Sequence, residues 1–139
     1  MSGLATELAV PTKAIAALNA LVYLVHGAPS LSDKYYDLTG ACSFAVATLL
    51  GYHQRTQRKQ GKNSETRALI ASGALLIWCV RLGAFLLARI TRDGRDKRMD
   101  PIKRGGRLMF LFPWIMQTAW CSIVGLPTFL TNRYATDHP

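Results

Sequence analysis

The chain has 139 residues, half of them apolar, and a formal net charge of +9. This length allows one domain, and the basic excess is local, because nine of the seventeen Lys and Arg residues lie between Arg81 and Arg107. No recognition motif or aromatic platform accompanies these charges, which argues against nucleic-acid binding. Cys42, Cys79 and Cys121 lack the spacing of a metal or redox site. We expect them to be small buried apolar residues, and we predict no metal site.

Four apolar blocks predict four helices, at residues 13–26, 38–52, 68–90 and 108–130. The last block has no charged residue and reaches the length of about 20 residues that a transmembrane helix needs. A helix that is apolar all round lies either in lipid or in a deep protein interior, and a chain of this size has little interior. We therefore predict an all-α integral membrane bundle of about four transmembrane helices.

The residues that flank these blocks identify neither a targeting signal nor a membrane orientation. The first residues lack a basic start and carry Glu7 before any apolar run, so no cleavable signal peptide is expected. Pro11 is expected to open the first helix. Basic loops are predicted at 53–67 and 91–107, on opposite sides of the bundle, so the positive-inside rule selects neither orientation. The mitochondrial inner membrane and the endoplasmic reticulum both remain open as locations.

Arg81 lies inside the third apolar block. An arginine at bilayer depth costs about 3 kcal/mol on insertion scales, so it indicates a function or a partner. Trp78, Phe85 and Arg89 follow the same helical spacing, which permits a cation–π contact between Arg81 and one of the rings. The charge also needs an acid or a ligand phosphate. The alternative is a structural arginine that snorkels or pairs within the bundle. The acids available to it are Asp33, Asp37 and Asp96.

The charged segment at 91–107 permits three interpretations. It can rest on anionic lipid headgroups, bind a phosphate-bearing ligand, or form a solvated connector. In the fourth block, Gln117 is the only strongly polar side chain, and we predict that it forms an interhelical hydrogen bond. The candidates for contact with cofactor or lipid phosphate are Arg81, Arg89, Arg95, Lys97 and Arg98. The side chains expected to meet as polar partners within the bundle are Asp37, Asp96, Gln117, Trp78 and Trp114.

Three segments carry a resemblance to a known family. They are KYYDLTG from Lys34, WCVRLGAFLLARITRDGRDKRMD from Trp78 and FPWIMQTAWCSIVGLP from Phe112. In this order they resemble the amino-terminal half of the steroid 5-alpha-reductase-like membrane family, in its largely uncharacterised branch. The similarity covers about Ser32 to Asn132.

The resemblance implies an all-helical membrane reductase that uses NADPH to saturate an enone in a lipid or sterol. It also implies that Arg81, Arg89 and Arg98 face cofactor phosphates, within a polar set completed by Asp37, Asp96 and Gln117. Members of the family continue into a second half with the main cofactor-binding motifs. Those motifs are absent from this sequence, so no cofactor is expected for this chain alone.

Two functions follow as expectations. The first is a non-catalytic accessory subunit of a larger, energy-transducing membrane complex, with membrane lipids and other membrane subunits as partners. The second is an NADPH-dependent reductase of a lipid or sterol enone that acts with a missing or separately encoded C-terminal half. Loss of the cofactor motifs favours the first function, and retention of Arg81 and the GRDKR run favours the second.

Overall fold

The computed structural model describes residues 2–57, 62–94 and 96–134. These residues form helices and no strand, which confirms the predicted all-α fold. A π-helical turn at Tyr23–Gly27 continues the first helix into a single turn at Ala28–Ser30. A 3-10 turn, Lys97–Met99, precedes a short helix. The α-helices are α1 (Ser2–Val22), α2 (Tyr36–Thr56), α3 (Lys62–Asp93), α4 (Asp100–Arg104) and α5 (Gly106–Tyr134).

The helices extend beyond the apolar blocks that predict them. The predicted loop at 53–67 is largely helical, with α2 reaching Thr56 and α3 beginning at Lys62, and residues 58–61 of that loop lie outside the described part. Much of the predicted loop at 91–107 is also helical. Apolar patterning marks the buried or lipid-facing part of a helix, whereas Lys, Arg, Gln and Glu continue it readily in water. Pro11 lies inside α1 and does not open it.

Three helices are long and apolar enough to cross a membrane. Among the described residues these spans are Leu8–Ser30, Glu65–Asp93 and Gly106–Arg133. Only 17% of the most apolar window of Glu65–Asp93 is buried within the chain, so this span turns most of its apolar surface outward. Outward apolar surface of this extent requires lipid or another protein. The chain is an integral membrane protein.

Helix α2 occupies the centre of the bundle. It contacts α1, α3 and α5, and its 21 residues extend about 32 Å. Its sequence is less apolar than those of the three spans because its buried face consists largely of small residues, among them Gly40, Ala41, Ser43, Ala47 and Thr48. Small residues let neighbouring helix backbones approach closely, which is how membrane helices pack.

Buried apolar side chains form two clusters. One lies around α2 and contains Ile15, Phe44, Ala47, Cys79, Cys121 and Phe129. The other lies at the end of the bundle where α1 joins α2, and it contains Tyr23, Met99, Phe110 and Trp114. Cys79 and Cys121 are buried as expected, whereas Cys42 is exposed.

Candidate functional site

Six charged side chains gather at one end of the bundle and form what we call the ionic cluster. Asp33 lies in the α1–α2 connection, and Asp37 lies in the first turn of α2. Gly94 follows the last residue of α3, and its N–H donates to Ile90 O at 2.9 Å. Its φ of +76° suits a residue without a Cβ, and here the chain turns back across the end of the bundle. The full cluster is Asp33, Asp37, Arg89, Asp96, Arg98 and Lys103.

Arg89 holds α3 against α2. Its Nη2 donates a hydrogen bond to Asp37 Oδ2 and lies 3.7 Å from Asp96 Oδ2. The Arg89 and Asp37 side chains are 28% and 27% exposed, so water screens this ion pair only in part. The pair therefore fixes the register between the two helices at their loop end.

Asp33 ties the α1–α2 connection to the α3–α5 connection. Its Oδ1 accepts a 2.8 Å hydrogen bond from Lys103 Nζ, and its Oδ2 accepts one of 3.0 Å from the Asp96 backbone N–H. The Asp33 side chain is 6% exposed and that of Lys103 is 19% exposed. Both oxygens of this buried carboxylate are thus hydrogen-bonded, as the burial of a polar group requires. The two connections consequently lie on one side of the membrane.

Asp96 caps the 3-10 turn. Its Oδ1 accepts hydrogen bonds of 3.0 Å from both the backbone N–H and Nε of Arg98, and its Oδ2 accepts one of 2.5 Å from Arg98 Nη2. These hydrogen bonds favour the charged form, so the pKa of Asp96 is lowered, chiefly by the Arg98 side chain. The same bond raises the pKa of Arg98.

The ionic cluster contains three carboxylates and three basic groups, which balance in charge. A cleft of about 450 Å³ beside it is lined by Arg89, Ile90, Asp93, Asp96, Lys97 and Arg98. A phosphate in this cleft meets two arginines that already hold carboxylates, and it also meets the repulsion of Asp93 and Asp96. The arrangement does not fit the phosphate site that the resemblance implies, although Lys97 is exposed there. Arg95 lies outside the described residues.

Arg81 lies outside the ionic cluster. Its side chain is exposed on the outer face of α3, and no hydrogen bond or ion pair joins it to any residue that the structure describes. The acids available to it from the sequence are instead held by Arg89, Arg98 and Lys103. Trp78 packs edge-on against Phe44 at 5.5 Å and makes no described cation–π contact with Arg81. Of the alternatives that the sequence leaves open for Arg81, pairing within the bundle is not observed among the described residues, because the rotation of α3 turns this side chain outward.

Gln117 lies in a buried polar network that joins three helices. Its Nε2 donates to Asn19 Oδ1 at 2.8 Å and to Tyr36 O at 3.0 Å, which is the interhelical hydrogen bonding expected from the sequence. Asn19 Nδ2 donates in turn to Ser43 Oγ at 3.0 Å. Asn19 is not among the predicted polar partners, although it is the one strongly polar side chain in the middle of the first apolar block. Trp114 lies nearby, 2% exposed, and packs against Tyr36.

A second buried arginine lies at the opposite end of the bundle. Arg55 is 3% exposed, and its Nη1 donates to the backbone oxygens of Asn132 at 3.0 Å and Thr131 at 3.3 Å. These carbonyls belong to the last turns of α5, where a positive charge is favourable. The basic loop predicted at 53–67 includes Arg55, and this part of the prediction is wrong because Arg55 lies in the last turn of α2. Basic composition alone gives no sign that α2 and α5 end side by side.

An open groove of about 500 Å³ runs between α2, α3 and α5 next to the ionic cluster. Its polar end contains Tyr36, Asp37 and Gln117, and its long apolar wall includes Trp78 and Trp120. This shape accommodates an elongated apolar molecule with one polar end. Across the described residues, no group of His, Cys, Asp or Glu is placed to hold a metal ion.

A family comparison covers most of the chain. Residues 23–138 match the model of a family described as "Protein of unknown function (DUF1295)". No curated protein and no solved structure matches the chain. The matched residues include the ionic cluster, the groove and Gln117. The chain therefore belongs to the DUF1295 family.

Proposed function

We propose that this chain is a non-catalytic integral membrane subunit, held as an accessory component of a larger, energy-transducing membrane complex. The observation that carries this proposal is the ionic cluster, in which each basic side chain is paired with a carboxylate of the same chain. Arg89 and Arg98, which the resemblance to steroid 5-alpha-reductase-like proteins assigns to cofactor phosphates, are both bonded to carboxylates of this chain. Because charge in the cluster is balanced, it serves to join the α1–α2 and α3–α5 connections and offers little attraction to a dianionic ligand.

The outer surface of the bundle supports the same proposal. Spans α1, α3 and α5 bury at most 28% of their apolar windows within the chain, and large apolar side chains such as Ile77 and Phe85 face outward. Lipid can cover these side chains. Lipid tails cannot neutralise Arg81, which lies among them, so a protein neighbour is the better match for that charge.

Cofactor binding provides a direct test. NADPH is titrated into the full chain in detergent micelles and its fluorescence is followed, with Arg98→Ala as the matched variant. We expect no saturable binding to either protein. Saturable binding to the unmodified chain that Arg98→Ala abolishes contradicts the non-catalytic proposal.

A second candidate function is NADPH-dependent reduction of a lipid or sterol enone together with a separately encoded C-terminal half. The groove beside Asp37 and Gln117 favours it, because its size and its single polar end suit a lipid substrate. Co-expression of the chain with such a half and an assay for NADPH consumption test this candidate. A gain in activity that Trp120→Ala removes supports the reductase, and equal activity with and without the chain excludes it.

A further inference from the structure

The outer face of α3 has a regular seam. Its residues recur at alternating intervals of four and three, the spacing at which one helix packs along another. All of them are exposed, and Ile70 and Ile77 are 65% and 73% exposed. No other helix that the structure describes covers them. The seam consists of Ile70, Ala74, Ile77, Arg81, Ala84 and Ala88.

Arg81 lies deep in the membrane on this seam. It precedes Arg89 by eight residues, which corresponds to about 12 Å along the helix. Arg89 belongs to the ionic cluster at the end of the bundle, and half the thickness of a hydrocarbon core is about 15 Å. Arg81 is therefore near the midplane, where an arginine costs about 3 kcal/mol even after snorkelling has relaxed its position.

The helices that the structure describes carry no acid at this depth. Asp33, Asp37 and Asp96 lie at the level of Arg89 and are bound by other groups. The sequence contains no Asp or Glu within Leu8–Ser30 or Gly106–Arg133, and none inside α3 between Glu65 and Asp93. A second copy of this chain therefore offers Arg81 no carboxylate near the midplane. The charge points to a different protein.

We propose that the seam binds a transmembrane helix of another protein, and that this helix carries an aspartate or glutamate paired with Arg81. The inference rests on the proposed function and specifies the partner's chemistry. The alanines at positions 74, 84 and 88 leave room for close approach of a second backbone, and the two isoleucines supply apolar packing on the N-terminal side of Arg81. An ion pair in lipid neutralises both costly charges at once.

Size analysis of the particle extracted from native membranes in mild detergent tests the seam. We expect the large particle to retain the unmodified chain and Arg81→Lys, and to lose Arg81→Leu. Ala84→Trp places bulk on the seam and is also expected to be lost. Leu87→Trp adds the same bulk to an exposed position off the seam and is expected to stay bound. Thermal melting of each variant should match the unmodified chain, since these side chains face outward.

The chemistry of the partner has its own test. In membranes containing Arg81→Lys, a hydrophobic carbodiimide should activate the partner carboxylate, which the introduced amine then attacks to form an amide with release of a urea. We expect one covalent adduct to a second membrane protein, which is absent for Arg81→Leu and without carbodiimide. Retention of both Arg81→Leu and Ala84→Trp in the large particle overturns the seam proposal and leaves the subunit function intact. A small particle for the unmodified chain overturns both.

Discussion

Gln117 Nε2 on α5 donates a 2.8 Å hydrogen bond to Asn19 Oδ1 on α1, inside the apolar part of the bundle. Both residues are buried, at 9% and 1% exposure. Asn19 also donates to Ser43 on α2, so three helices share one network. In lipid such a network replaces hydrogen bonds that water cannot supply, and it sets the rotation of each helix about its axis.

Removal of either amide should destabilise the bundle. Gln117→Leu leaves Asn19 Oδ1 buried without its donor, at a cost of about 1–3 kcal/mol. We expect Asn19→Leu to have a similar effect, and the double variant to lose less than the sum of the two, because both remove the same hydrogen bond. Denaturant unfolding in micelles measures these energies. Strict additivity contradicts a direct interaction.

Gly40 provides a steric test of the same network. A Cβ at this position lies 3.2 Å from both Cδ and Oε1 of Gln117, so Gly40→Ala should displace the amide and lower the melting temperature. Gly73→Ala on α3 is the matched control, because a Cβ there meets no atom within 4 Å. The control should be neutral or stabilising by up to about 1 kcal/mol, from helix propensity alone. Equal losses for the two variants count against this contact.

The Asp37–Arg89 pair should contribute to stability through its partial burial. We expect Arg89→Leu to cost about 1–3 kcal/mol, more than an exposed pair and less than a fully buried one. Arg92→Leu is the control on the same helix, since the Arg92 side chain is 79% exposed beside Asp93. Chemical unfolding of both variants measures the difference. A loss for Arg92→Leu as large as that for Arg89→Leu rejects the special role of Arg89.

Protonation of Asp96 should lower the stability of the bundle in acid. Its pKa is lowered in the folded chain, so its contribution is present above the ordinary aspartate pKa of about 3.9 and is lost as pH falls through the folded pKa. Melting temperatures measured from about pH 6 down to about pH 3 should fall more for the unmodified chain than for Asp96→Asn. If the melting temperatures of the two proteins fall in parallel with pH, Asp96 does not contribute to the loss of stability in acid.

The sequence predicts the helices better than it predicts the pairing of their side chains. A continuous run of apolar residues is enough to predict α5, because a helix with no polar face is stable only in lipid or in a deep protein interior. The same pattern cannot decide whether Arg81 or Arg89 meets Asp37, since both arginines sit in one block. That choice depends on how α3 is rotated against α2, which the small residues of α2 and the inward packing of Cys79 determine. The burial of Arg55 could not be predicted from side-chain pairing in the sequence, because Arg55 donates to backbone carbonyls of α5.

The most direct test of the subunit function is the size of the particle that carries this chain after extraction from its native membrane in mild detergent. We expect the chain to migrate with a particle much larger than its own 15.3 kDa and micelle. A particle no larger than the chain and its micelle, together with saturable NADPH binding, contradicts the subunit proposal and favours the reductase.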